Sequence, residues 1–320
     1  MRRRRRRLRQ LPDRPQPRSD GRRRRRGRRR LRSDSVSTPA CGSCGDRLTA
    51  ACHVTIDERP DVFSDLQAAV DAAPDGATVR VDGVCTGPLR ISGRTDLTLE
   101  GLPPLPVGCV AGNLRPRDLA STVTGGGDGE VIEVSESANV TLRFLNVVDG
   151  RGAGVEIEDS RGGQLDRNCL ARNREEGVEV ERSRRAEVTA NLVVQNGEDG
   201  IAVHGNARGI SLTRNVISGN GHDGIDLEGT RENVVKRNTV HDNGRDGIDL
   251  EDADGNTITG NSVKRNGRKR DRDSGIELED SDRNLVDGNR VRGNADGLTD
   301  VIRCISGDEN VGSNVPRHCR

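Results

Sequence analysis

Between Gly224 and Asn266 the chain nearly copies itself, and this repetition restricts its fold more than any other feature. Gly224, Ile225, Asp226, Leu227 and Glu228 return 23 residues later as Gly247, Ile248, Asp249, Leu250 and Glu251. The unit also begins at Gly154, Gly177 and Gly200 upstream, and at Gly275 and Gly297 downstream. Two asparagine series travel with it: Asn168, Asn191, Asn215, Asn238, Asn261 and Asn289, then Asn173, Asn196, Asn220, Asn243, Asn266 and Asn294. The steps are 23 or 24 residues except the last of each series, at 28. A period this short, built from brief apolar alternations, buries an inner face only by stacking unit on unit, which makes a solenoid. Leucine-rich repeats would need more Leu and a helical return, and a propeller blade needs roughly 40 residues or more, so neither fits.

Three short strands per unit, joined by Gly, Asn and Asp turns, do fit. Leu165, Val188, Leu212, Val235, Ile258 and Val286 form one inward column, and Leu170, Val193, Ile217, Val240, Val263 and Val291 a second. A third strand supplies Val178, Ile201, Ile225, Ile248 and Ile276, with Val180, Val203, Leu227, Leu250 and Leu278 two positions on, as the alternation of a strand requires. Two roles suit the recurring Asn: a left-handed turn residue, and an amide that hydrogen-bonds to its copy ~4.8 Å along the stack. The pattern Asn-x-Val/Ile-x-x-Asn-Gly-x-Asp-Gly-Ile, over roughly residues 64–315, resembles the right-handed parallel β-helix repeat family. This is the pectin-lyase-like group that includes NosD-like proteins and repeats shared by carbohydrate-binding proteins and sugar hydrolases. The resemblance implies an all-β chain, a right-handed parallel β-helix solenoid of about nine coils with a short N-terminal capping helix.

Composition agrees with a narrow core. Apolar residues make up 31% of the chain and charged ones 32%, with Phe63 and Phe144 the only aromatics. The net charge of +1 conceals two different objects. Residues 1–40 hold 18 arginines against three aspartates, a net +15, which leaves 34 basic and 48 acidic residues in the remainder, a net −14. Arginine runs with no apolar face read as a disordered tail. Nucleic acid is a poor match for it, since no reading element or stacking aromatic accompanies the charge. No apolar stretch has the length of a signal peptide or a membrane span.

Eight cysteines mark the ends of the repeat region. Cys41, Cys44, Cys52 and His53 offer a zinc set that lacks its usual second half, so disulfides are the better reading. Cys85 and Cys109 flank the first coils, Cys304 and Cys319 the last segment, and Cys169 follows a ladder Asn, which suits stapling in an oxidising compartment. An extracellular or cell-surface location is therefore expected. Ser64 to Ala73 reads as a helix, with Ser64 and Gln67 as a capping box and Leu66, Ala69, Val70 and Ala73 on one face. It resembles the cap that covers the first coil in this family. The expected division is a tail over 1–40, a Cys-containing segment and cap over 41–77, the β-helix over 78–315, and an end over 316–320. Thr299 and Asp300 break the inward pattern, so Ile302 to Arg320 reads as an irregular terminal cap.

Chemistry is concentrated on the outward positions of the third strand. One column reads Glu156, Glu179, Ala202, Asp226, Asp249 and Glu277, and its neighbour Glu158, Glu181, His204, Glu228, Glu251 and Glu279. Like charges ~4.8 Å apart repel by ~1 kcal/mol even in water, so something must offset them. Arg161, Arg182, Arg184, Arg185, Arg208, Arg231 and Arg283, in the following turns, are placed to reach back as a local offset. The functional reading is a binding face made by Glu181, His204, Asp226, Glu228, Asp249, Glu251, Glu277 and Glu279. Calcium is the natural cation for such oxygens, although no dedicated metal or cofactor set is discernible. His204, between Glu181 and Glu228, is expected to hold its proton firmly.

Two functions compete. The first is a non-catalytic scaffold or binding module at the cell surface, meeting polysaccharide, cation or a partner along the acidic face. The second is a polysaccharide lyase, epimerase or glycoside hydrolase working on acidic polysaccharide at the same face. For the second, the resemblance implies Arg268 or Arg270 acting with Asp249 and Glu277. The family's enzyme signatures, Gly-His-Gly and Asp-Pro-His among them, are missing, and no catalytic residue is assigned. His222 and His241 read as solvated turn residues. Copper(I), associated with NosD-like relatives, wants soft ligands, and the sole Met is Met1.

Overall fold

The protein is described by a computed structural model over residues 51–102, 121–267, 274–294, 302–304, 306–307, 309–316 and 319. Each coil contributes three short strands, for instance Gln164–Asp166, Cys169–Ala171 and Val178–Glu181. Each strand pairs in parallel with its copy in the next coil: Leu165 faces Val188, Leu170 faces Val193 and Val178 faces Ile201. Among the described residues the second and third stacks contain nine strands each, and the first contains eleven, including the antiparallel pair His53–Ile56 and Val62–Phe63 at its N-terminal edge. The chain is a right-handed parallel β-helix with a single short helix among these residues.

Burial follows the columns. All twelve residues of the two inward series are buried, most of them completely. At Gly224 in the repeated unit, a Cβ would stand 2.2 Å from Val240 Cγ1 and 2.5 Å from the Gly247 carbonyl oxygen. Close packing of turn on turn therefore demands this glycine.

The asparagines form ladders, and only one of their two expected roles holds. The Asn191 side-chain oxygen accepts the backbone N–H of Asn168 at 2.8 Å and its amide Nδ2 at 3.1 Å, while Asn191 Nδ2 donates to the Leu165 carbonyl at 2.8 Å. The second series repeats this between Asn196 and Asn220. The left-handed residue is the one before each Asn: Arg167, Arg214 and Arg237 in the first series, Arg172 and Asp242 in the second. The amide is needed to satisfy buried turn N–H groups that no strand pairs. A further ladder that sequence periodicity did not single out runs through Asn233, Asn256, Asn284 and Asn310.

The two ends are built differently. The helix spans Leu66–Ala72, and its N-cap is Asp65, whose carboxylate accepts the Ala68 N–H, in place of the expected Ser64. Gln67 has different work: its amide accepts the Arg90 N–H at 2.8 Å and donates to the Arg90 carbonyl at 2.9 Å. It thereby imitates a neighbouring strand along Leu89–Ser92, the first edge of the third stack. At the other end Ile302–Cys304 is a regular strand on Ile276–Leu278, although an irregular cap was expected there. Disulfides join Cys52 to Cys85 and Cys304 to Cys319, and Cys169 is disulfide-bonded too. Cys52 is thus unavailable to zinc, and the bonds match an oxidising compartment. No described helix is long and apolar enough to cross a membrane. The arginine tail, Cys41, Cys44, Cys109, the insertion Arg268 to Arg272, and Thr299 with Asp300 lie outside the described residues.

Asn215 is completely buried and bonded on both sides. Replacing it with Ala strands the Asn191 N–H and the Val188 carbonyl, so Asn215→Ala should cost on the order of 3 kcal/mol in denaturant unfolding. Thr213→Ala, on the outward face, should cost under ~1 kcal/mol.

Candidate functional site

The outward faces of the third stack bring the expected residues into register. Glu133, Glu156, Glu179, Ala202, Asp226 and Asp249 follow one another strand by strand. Each end of this column is an arginine: Arg90 faces Glu133 and pairs with it at 3.2 Å, and Arg303 faces Glu277 and pairs with it at 3.1 Å. In the neighbouring column Glu158 faces Glu181, Glu181 faces His204, Glu228 faces Glu251, and Glu251 bridges to Glu279.

Compensation is uneven along the face. Arg182 contacts Glu158 and Glu181 and lies 3.2 Å from Asp159, so at that coil the expected local offset exists. His204 Nε2 stands 2.9 Å from Glu179 Oε1, a diagonal partner, where its column neighbours Glu181 and Glu228 were expected. That hydrogen bond, more than the field of the other carboxylates, raises the His204 pKa above its ordinary value. Among the described residues, Asp226, Glu228, Asp249 and Glu251 take part in no ion pair. Among the described residues, no arginine or lysine pairs with the middle of the face.

A third acidic column sits in the turn that enters this stack, where sequence reading had found only a turn. Asp223 and Asp246 are 6% and 8% exposed, and the N–H of each is held at 2.5 Å by the carboxylate one coil before it, that of Asp199 and of Asp223. The signal was present as the Asp of the repeated Asp-Gly-Ile, three residues before each outward Asp. Burial, reinforced by neighbouring aspartates, pushes Asp223 up to about 9 and Asp226 to about 8. Asp249 rises to about 7 through burial and then Glu277, and its Oδ1 is buried without a hydrogen-bond partner. Glu277, 7% exposed, also rises through burial, in spite of Arg303 and a hydrogen bond from the Ser274 hydroxyl at 3.2 Å. Asp223 and Asp226 therefore keep their protons at neutrality, and Asp249 is poised close to it. Ligand atoms of Glu179, Glu181 and His204 lie within 4.8 Å of one another, an arrangement with oxygen in excess over nitrogen.

A family model described as periplasmic copper-binding protein (NosD) matches residues 118–290. No curated protein matches the chain in sequence. Among solved structures, the Azotobacter vinelandii mannuronan C-5 epimerase AlgE4 A-module aligns with a TM-score of 0.53 and 17% identity, over 77% of this chain and 78% of that one. The AlgE6 A-module from the same organism gives 0.52 and 16%, over 75% of this chain, which spans only 62% of that module's length. An alginate lyase from Paenibacillus sp. str. FPU-7 gives 0.50 and 16%, over 78% of this chain and 95% of the lyase. Identities this low make the likeness one of fold.

The raised carboxyls fix the sign of a pH response. An unfolded carboxyl releases its proton near pH 4, whereas Asp226 and Asp223 keep theirs to about 8 and 9, so the folded state binds more protons between these limits. Stability present below pH 4 is lost as the pH rises through those folded values, and His204 adds to the loss above its ordinary value. Metal-free protein should therefore melt at progressively lower temperature from pH 5 to 9, with a shallower slope in Asp223→Asn. A flat or rising melting temperature over that range would contradict the burial of these charges.

Proposed function

The chain belongs to the family described as periplasmic copper-binding protein (NosD), and from that premise we propose an exported, non-catalytic β-helix binding module that takes hard divalent cations, and polysaccharide with them, along the third stack. One observation carries the reading: Asp226, Glu228, Asp249 and Glu251 lie in register, and none of them forms an ion pair among the described residues. Calcium suits their oxygens and their flexible spacing. The similar solved structures include epimerases and a lyase whose names concern mannuronan and alginate, which supports a polysaccharide as the polymer.

Copper, named in the family description, does not fit the donors present. Every described cysteine is disulfide-bonded, the chain has one Met at its first position, and His204 stands among carboxylates. Soft sulfur ligands for copper(I) are lacking among the described residues.

An enzyme acting on polysaccharide is the second reading, favoured by carboxyls poised to exchange protons near neutrality, Asp249 above all. Two measurements separate the readings. Calcium titrated into the protein at pH 8 should raise its stability by about 2.7 kcal/mol at a hundredfold excess over Kd, and the Asp226→Asn/Asp249→Asn double variant should lose most of that gain. Equal stabilisation of both proteins, or none of either, removes the cation reading. Product released from a panel of acidic polysaccharides, and lost in Asp249→Asn and Glu277→Gln, would replace the binding module with an enzyme.

A further inference from the structure

Four arginines leave the acidic face beside them uncompensated. Arg161, Arg184, Arg208 and Arg231 occupy the turn that leaves the third stack, and successive members are joined by parallel bridges, so that they stand one above another on consecutive coils. All four are exposed. The sequence places them where they could reach back to the carboxylates, yet that is done by Arg182, in the neighbouring column. Among the described residues, Arg161, Arg184 and Arg231 form no ion pair or side-chain hydrogen bond, and Arg208 has only a long contact of 3.8 Å with Glu232. The row ends at Asp254, which is occupied by Arg283 at 3.0 Å.

Four like charges held ~4.8 Å apart repel one another by ~1 kcal/mol per neighbouring pair in water. The fold keeps them in register regardless, which sets four arginine positions in a line parallel to the solenoid axis. Guanidinium groups bind carboxylate or sulfate by paired hydrogen bonds, so a line of them matches a linear polymer with one anionic group on each unit.

We propose that this row is the seat of a linear acidic polysaccharide lying along the axis. The row is narrow and has a strongly acidic face on one side, so an anionic lipid surface would press against the third-stack carboxylates, whereas a single polymer strand would not. Single-stranded nucleic acid is held chiefly by aromatic stacking platforms, and this chain has two Phe and no Trp or Tyr. The inference does not rest on cation binding at the third stack, because it concerns separate residues and a ligand of opposite charge.

The test uses full-length protein at low salt with polygalacturonate as the uronate polymer, and dextran, a single-stranded oligonucleotide and phosphatidylglycerol vesicles as comparisons. Polygalacturonate should bind, weaken with added salt, and bind roughly tenfold or more weakly to the quadruple variant Arg161→Gln/Arg184→Gln/Arg208→Gln/Arg231→Gln, given the modest strength of exposed ion pairs. The four side chains are exposed, so the variant should keep the melting temperature of the parent within a few degrees. The corresponding quadruple Arg→Lys variant, which keeps charge but not the paired geometry, should fall between the two. Unchanged affinity in the Gln variant, no binding by the parent, or tighter binding of oligonucleotide or vesicles would overturn the proposal. Calcium stabilisation of the Gln variant is measured in parallel, so a failure here is distinguishable from a failure at the carboxylates.

Discussion

Hydrogen bonding of each coil to the next, in register and in parallel, is the constraint on which everything else in this protein depends. It sets every side chain on top of its counterpart one coil away. For valine and isoleucine that is favourable, since branched side chains of equal shape pack along a column. For asparagine it is favourable too, because the amide carries both a donor and an acceptor and can serve its copies above and below. For aspartate, glutamate and arginine the same rule enforces proximity of like charges.

The chain deals with that enforced proximity in two ways. At Glu158 and Glu181 a basic residue from an adjacent column intrudes, and His204 does the same for Glu179. Along Asp223 and Asp246 the charges are removed by protons, which burial makes easy to keep. At Glu228 and Glu251 of the third stack, and at Arg161, Arg184 and Arg231 of the arginine row, no ion pair is made among the described residues. Those are the places where a ligand from outside has electrostatic work available to it.

Most of the architecture was legible in the sequence because the fold is periodic and the period is written in residue types that tolerate no substitute. Inward columns, strand positions and ladder asparagines follow from spacing alone. What spacing does not convey is direction within a turn. The left-handed residue proved to be Arg167 or Arg214, one place before the Asn, since the amide has to point inward and the bend must fall elsewhere. For the same reason spacing does not tell a buried turn aspartate such as Asp223 from a solvated one, or show that Arg182 reaches the acidic face while Arg184 does not. His204 found its partner on the diagonal because a ring on one strand reaches across to the next column more easily than straight along its own. Helix capping by Asp65 rather than Ser64 is a one-residue matter decided by where Gln67 was required.

The long coil between Asn266 and Asn294 shows what this construction tolerates. Five additional residues enter there, yet Asn261 still bonds to Asn289, Asn266 to Asn294, and Ile248 still faces Ile276. The register of the coils on either side of the surplus residues is unchanged. A solenoid of this kind can therefore acquire new peripheral loops one rung at a time, with its outer rows of charge left as an undisturbed ruler against which such additions are laid.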